Sequence, residues 1–221
     1  MIQINNTVAS PKFPIWELTI PDSPFDRNFF ENNDLWEMNK LVDGEFIQYG
    51  KERKEYIENS IPEFENWIAE FKKQNDVLGI IGDLLDNDEN KGYFYKLFPL
   101  EDKKVIPSDF IRRRCNVLYR IINDEPGYKM HNHFDNRSVL GNIFVNLTDN
   151  KGVSTTFVNT FTNGNHSVID KNTNIHYVGP DQKNKGIFFL NTSDTYHGIH
   201  NSTDRTRYIM NILVYFPDLT F

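Results

Sequence analysis

The sequence predicts a mainly β protein: a helical N-terminal support followed by a β-rich C-terminal half of sandwich, jelly-roll or barrel type. Three observations carry this. Aromatic residues are abundant (18 Phe, 10 Tyr and 3 Trp) while alanine occurs only at Ala9 and Ala69, a composition that favours sheets over helical bundles. The hydrophobic period shortens from helical spacing to about 2 residues near position 110. Beyond that point, short β-branched and aromatic runs are punctuated by Gly, Asn, Asp and Pro. With 221 residues the chain is long enough for one large domain. It divides into a helical or irregular support over 1–109 and a β core over 110–221, packed as one structural unit.

Taken in order, the first 50 residues have no dominant period. Residues 60–72 open with Ser60 and Glu63 at capping-box spacing and set Ile61, Phe64, Trp67, Ile68 and Phe71 at helical intervals. A second helix is predicted from Asn75, with Val77, Leu78, Ile81, Leu84 and Leu85 along one stripe. The polar run 86–92 ends it. That run is not a calcium loop, because Gly92 falls seventh rather than sixth and Leu97 stands at the twelfth position. Arg112, Arg113 and Arg114 read as part of a strand, either a solvated edge that discourages pairing or a contact for an anionic substrate or nucleic acid. Strands are predicted at 116–122, 141–147, 153–158, 186–191 and 207–216. The polar stretch between 158 and 186 reads as a long functional loop in which His166 and His176 are solvated.

Charge and cysteine content exclude several classes. A formal net charge of −7 argues against general affinity for nucleic acid or anionic membranes. No segment approaches the roughly 18 apolar residues of a membrane span, and the N-terminus has neither the basic start nor the apolar core of a secretion signal. The expectation is a soluble, cytoplasmic protein with no membrane partner. Cys115 is the single cysteine, which rules out an internal disulfide and any cysteine-built zinc or iron–sulfur site.

All 6 histidines lie beyond residue 130, and two places among them carry chemistry. In His133-Phe134-Asp135, residues two apart on a strand point to the same side, so imidazole and carboxylate can converge on one ion. His197 stands directly before the last strand. Two histidines and one carboxylate leave three coordination positions open, which suits a non-haem Fe(II) that must take a cosubstrate and dioxygen together. Arg207, ten residues after His197, begins a strand and can present a permanently charged fork to a carboxylate in the same cavity. A competing set is His131, His133 and His197 in a cupin-like site, but that pattern wants a Glu shortly after the pair where this chain has Asn136 and Arg137. His200 reads as an exposed turn residue. Asn142, Asn146 and Asn211 are polar residues inside apolar strands; inward-facing asparagines meet a ligand or a hydrogen-bond network, because burying them bare is costly. Of these, Asn146 and Asn211 are taken as pocket candidates.

The segments 118–147, 152–157 and 186–216 together resemble the Fe(II)/2-oxoglutarate-dependent oxygenases, most closely the prolyl 4-hydroxylase-like branch. The first carries the Tyr119-bearing strand, the Gly127 turn, His133-x-Asp135 and a strand ending Asn146-Leu147. The second is similar to a Gly-Gly-x-Thr-x-Phe strand, with Val153 in place of the second Gly. The third has a Gly186-led apolar strand, a His197-Gly198 turn and Arg207-Tyr208 opening an alternating final strand. The resemblance implies a double-stranded β-helix, a jelly-roll with the metal at its open end. It implies Fe(II) held by His133, Asp135 and His197, 2-oxoglutarate paired with Arg207 and hydrogen-bonded by Tyr119, and Thr156 lining the cosubstrate pocket. It further implies dioxygen as co-substrate, ascorbate as a candidate reductant, and succinate and CO2 as by-products of C–H hydroxylation. The substrate implied by the resemblance is a protein or peptide side chain, prolyl first, or else a small molecule such as a free amino acid. A non-catalytic metal- or glycan-binding jelly-roll is the alternative of a different class.

Overall fold

The structure, a computed structural model, describes residues 1–8, 13–32, 37–38, 53–57, 62–98, 104–136, 138–158, 175–192 and 194–217. The N-terminal half contributes strands β1 (Gln3–Val8), β2 (Ile15–Thr19), β3 (Glu37–Met38) and β4 (Arg53–Ile57) as well as helices. The helices are α1 (Arg27–Glu31), α2 (Pro62–Gln74), α3 (Val77–Asp86), α4 (Lys91–Leu97) and α5 (Pro107–Arg114). Among the described residues eight strands follow: β5 (Asn116–Asp124), β6 (Lys129–His133), β7 (Val139–Asn146), β8 (Thr156–Val158), β9 (Ile175–Val178), β10 (Lys185–Leu190), β11 (His197–His200) and β12 (Arg207–Tyr215).

These eight distribute between two antiparallel sheets. The large sheet runs β1-β2-β10-β7-β12-β5-β4-β3 and the small one β6-β11-β8-β9. From β5 to β12 the chain changes sheet at every step except β8 to β9. The resulting order, β10-β7-β12-β5 facing β6-β11-β8-β9, is a double-stranded β-helix. The N-terminal strands lengthen the large sheet at both edges, with β2 paired to β10 and β4 to β5. The sequence expectation for 1–109 contained no strands, and strand pairing over such separations leaves no local signal.

Local chemistry explains the elements around the core. Helix α2 has Glu63 and Glu65 in its first turn and Lys72 and Lys73 in its last, matching charge to the helix dipole, and it buries Phe64, Ile68 and Phe71. The expected cap at Ser60 lies outside the described residues. Helix α3 starts at Val77, where the Asp76 carboxylate accepts from the Gly79 N–H at 3.0 Å. The arginines 112–114 are not on a strand. Pro107 sets the first turn of α5, Ile111 is buried, and the three guanidinium groups lie in the last turn, where positive charge complements the helix C-terminus; Arg112 pairs with Asp76. Between β5 and β6, Tyr128 N–H donates to the Glu125 carbonyl at 2.9 Å, with Gly127 at φ +83°. Pro126 followed by glycine is the chemistry of a type II turn, whose third residue must be left-handed. The 159–174 part of the expected long loop lies outside the described residues, while 175–178 forms β9.

The helices cover one face of the large sheet. Tyr119, Ile121, Ile143, Val145, Phe188, Met210 and Ile212 pack there against Phe64, Phe71, Ile81, Phe94 and Ile111. The other face looks toward the small sheet across Ile15, Phe157, Ile187 and Phe189, with Phe144 and Tyr177 beside them. Among the described residues no helix is long and apolar enough to cross a membrane.

Candidate metal centre

His133 ends β6 and His197 begins β11, and the two are direct partners in the antiparallel ladder. Their ring centroids are 4.6 Å apart. Asp135 follows two residues after His133, its Oδ1 lying 3.6 Å from His133 Nε2 and its Oδ2 3.7 Å from His197 Nε2. One nitrogen or oxygen from each residue lies within 4.8 Å of the others. Gly198 is what permits this approach: a Cβ there would stand 2.7 Å from Asn132 Oδ1 and 2.9 Å from the Met130 carbonyl. Any side chain would push β11 off β6 at the step next to His197.

His197 and Asp135 are held from behind. His197 Nδ1 lies 3.0 Å from the Thr195 carbonyl, which can only accept. Nδ1 therefore carries the proton, and Nε2 turns its lone pair toward Asp135. Asn191, just past β10, accepts from the Asp135 N–H at 3.0 Å and donates to the carbonyls of Asp135, Asn136 and Val139, fixing the loop that bears the carboxylate. Asn142 Nδ2 donates to Asp135 Oδ2 at 2.6 Å. Burial by itself would raise the Asp135 pKa. When His197 also takes a proton on Nε2, its charge, with the hydrogen bond and charge of His133 and the more distant Arg120, outweighs burial and holds the carboxyl below its usual range. His197 is buried among Phe157, Phe189 and Phe144 at 5.7, 4.7 and 6.1 Å between ring centroids. The His133 and Asp135 side chains keep 16% and 21% exposure, so the cluster is dry on one side and open on the other. Two neutral imidazoles and one carboxylate, open on one side, fit a divalent transition metal with vacant positions.

Arg207 opens β12 on the face toward the small sheet. Its Nη1 donates to Asp124 Oδ2 at 3.0 Å and its Nη2 to Thr155 Oγ1 at 3.0 Å, all three groups being buried. Beside it is a space of about 10 Å³, room for roughly one water, lined by Phe144, Asn146, Thr155 and Ile187. Phe144 also touches the His197 ring, so Arg207 and the histidine cluster share one interior. The donors suit a carboxylate, but a five-carbon ketoacid requires this space to widen and Asp124 to share the guanidinium.

The structure thus brings His133, Asp135 and His197 together and places Arg207 and Asn146 in the adjoining space. Asn146 uses its amide on the carbonyls of Pro180 and Lys185 and accepts from Asn150, which ties loops together. Asn211 hydrogen-bonds Arg120 and Asn142. Two expectations are corrected. Tyr119 is on the helix side of β5, with its ring against Phe71 at 6.2 Å and Lys72 Nζ 4.7 Å from its centroid, so it does not face the site. Thr156 points out of the small sheet, its hydroxyl donating to the Gly198 carbonyl at 3.3 Å; the inward hydroxyl is that of Thr155. Since Phe157 points in, strand alternation sends Thr156 out. His176 is not a solvated loop residue: it is on β9, half-buried and edge-on to Phe13 at 5.5 Å, and burial lowers its pKa. His200 is exposed at the end of β11. His131 is on β6 and His166 lies outside the described residues. Sequence reading missed Asn191, Thr155, Asp124 and Arg120; Asn142 had the signal, a polar residue in an apolar strand.

No protein-family model matches the sequence, and no curated protein does. Comparison of the structure with solved ones does give matches. A Pseudomonas putida prolyl-4-hydroxylase is 12% identical, with a TM-score of 0.43 over 86% of this chain and 80% of its own. AviO1 from Streptomyces viridochromogenes Tue57 is 11% identical, with a TM-score of 0.47 over 88% and 80%. A viral collagen prolyl hydroxylase from Paramecium Bursaria Chlorella virus-1, solved as a 2OG complex, is 12% identical, with a TM-score of 0.38 over 75% and 79%. The fold assignment itself rests on the strand order of the two sheets.

Proposed function

We propose that this chain is an Fe(II)/2-oxoglutarate-dependent dioxygenase that hydroxylates an unactivated C–H bond. The observation that carries the reading is the His133–Asp135–His197 cluster, open on one side, in a double-stranded β-helix whose interior also holds Arg207. When bound, iron with 2-oxoglutarate and dioxygen supplies an oxidant strong enough to take hydrogen from an aliphatic carbon, with succinate and CO2 as the other products.

The residues have separate tasks. The Thr195 carbonyl keeps the proton on His197 Nδ1 and so leaves Nε2 available. Asp135 contributes the negative charge that two neutral imidazoles lack. Arg207 and Thr155 offer the cosubstrate's distal carboxylate a charged and a neutral donor, with Asp124 holding the guanidinium in place. Phe144, Phe157 and Phe189 keep water from the buried side of the cluster. The substrate approaches from the side where His133 and Asp135 are exposed. A protein or peptide side chain, prolyl first, is the substrate class favoured by the sequence resemblance, with a small molecule such as a free amino acid second.

One observation favours a non-catalytic, metal-holding jelly-roll: Arg207 is engaged by Asp124 and Thr155, and the space beside it is small. Anaerobic Fe(II) titration with and without 2-oxoglutarate separates the two. A visible absorption band that needs both components is expected, and Asp135→Ala should abolish both the band and succinate formation. Metal binding without any ketoacid-dependent band would leave the non-catalytic reading standing.

A further inference from the structure

Three neighbouring strands of the large sheet, β5, β12 and β7, present Arg120, Asn211 and Asn142 to the interior. Arg120 and Asn211 are direct partners across the β5–β12 ladder, and Asn142 is on the other neighbour of β12. Arg120 Nε donates to Asn211 Oδ1 at 2.6 Å. Asn211 Nδ2 donates to Asn142 Oδ1 at 3.0 Å, and Asn142 Nδ2 donates to Asp135 Oδ2 at 2.6 Å. Asn211 and Asn142 are 0% and 1% exposed, so no bulk water competes for these bonds.

The chain of bonds has a direction, and Arg120 sets it. A guanidinium can only donate, so Asn211 must turn its carbonyl to Arg120 and its NH2 to Asn142. Asn142 must then accept from Asn211 and direct its own NH2 at Asp135. Asn211 Nδ2 also donates to the Ile143 carbonyl at 3.4 Å, which favours the same orientation; a neutral acceptor in place of Arg120 would remove the shorter, charged constraint, and a reversed Asn142 would set a carbonyl oxygen against the carboxylate. We propose that Arg120 is a positioning residue for the metal centre, orienting Asp135 through the Asn211–Asn142 amide relay so that one carboxylate oxygen is committed to the protein and the other is left for the ion. The proposal rests on the metal reading above. Its consequence is a carboxylate that occupies a single coordination position, which keeps the remaining positions open for exogenous ligands.

The test is Mn(II) affinity of the full chain, followed by electron paramagnetic resonance. Arg120→Met and the isosteric Asn211→Asp should each weaken Mn(II) binding by about tenfold, and Asn142→Leu by up to about a hundredfold. Asn211→Asp keeps a partner for Arg120 but cannot donate to Asn142, so it carries the test if Arg120→Met does not fold; thermal unfolding without metal is the control. Arg120→Lys, which keeps a charged donor, should recover part of the loss. In the double variant Arg120→Met/Asn142→Leu the loss should equal that of Asn142→Leu alone, because the relay is already cut. Wild-type Mn(II) affinity in folded Arg120→Met and Asn211→Asp, or losses that simply multiply in the double variant, would overturn the relay while leaving the metal site intact. A wild-type protein that binds no Mn(II) would overturn the metal reading and the relay with it.

Discussion

Strand β12 carries two unlike surfaces on alternate residues. Tyr208, Met210, Ile212 and Val214 face the helices and belong to one continuous apolar core. Arg207 and Asn211 face the small sheet, and the structure gives both of them hydrogen-bond partners. The two surfaces are equally buried but differ in what burial does. On the helix side it stabilises through apolar area and tight packing, and neighbours of similar size can substitute for one another. On the inner side it raises the cost of every missing partner, so the geometry is specified bond by bond.

Breaking the inner face at its charge pair should have the largest effect. Arg207→Ala removes the counter-charge that Arg207 gives to Asp124, whose side chain is 0% exposed. A loss of about 3–5 kcal/mol in chemical denaturation is expected, together with a steep rise in the 2-oxoglutarate concentration needed for turnover. Breaking the outer face gives a similar energy with a different signature. Phe188→Ala removes a ring that is 1% exposed and stacked on Trp16 at 5.1 Å between centroids. It should cost about 3–5 kcal/mol and leave Mn(II) affinity unchanged wherever the variant is folded. A finer comparison sits on one strand segment. Thr155→Val should lose about 1.5–3 kcal/mol, because a buried bond to a charged group goes, whereas Thr156→Val should lose about 0.5 kcal/mol. Equal losses would return Thr156 to the interior. The smallest effect is at Cys115, whose pKa burial pushes up to about 12, with Arg114 opposing. A raised thiol pKa means little thiolate at pH 8, so the native protein should not react with a disulfide reagent there, and full reactivity should appear only in denaturant.

The same contrast explains what could be read from the sequence. The strands at 116–122, 141–147, 186–191 and 207–216 and the helix running into α2 announced themselves through period and punctuation. So did the His133, Asp135 and His197 positions, because residue type and two-residue spacing carry that signal. Which side of a strand faces inward was much less legible where both sides are buried. The β5 run offers Tyr119 and Arg120 in succession, and nothing in its hydropathy says that the tyrosine meets α2 and the arginine the interior. Thr155 and Thr156 differ by one residue, and a one-residue slip reverses the face. The arginines 112–114 have helix or strand meaning only once Pro107 is taken as a helix start. Asn191 left no trace, since its role depends on a loop 56 residues earlier in the chain.

The pairing of β2 with β10 has a consequence in time. Ile15, which is set opposite Phe189, leaves the ribosome well before its partner strand does. Until residues 185–190 emerge, β1 is the one strand neighbour of β2 among the described residues, and a two-stranded hairpin is too small to persist alone in water. The barrel wall that backs His197 through Phe189 therefore closes only after β10 has emerged. A metal-binding cluster built on that wall is a product of completed folding and cannot serve as its template.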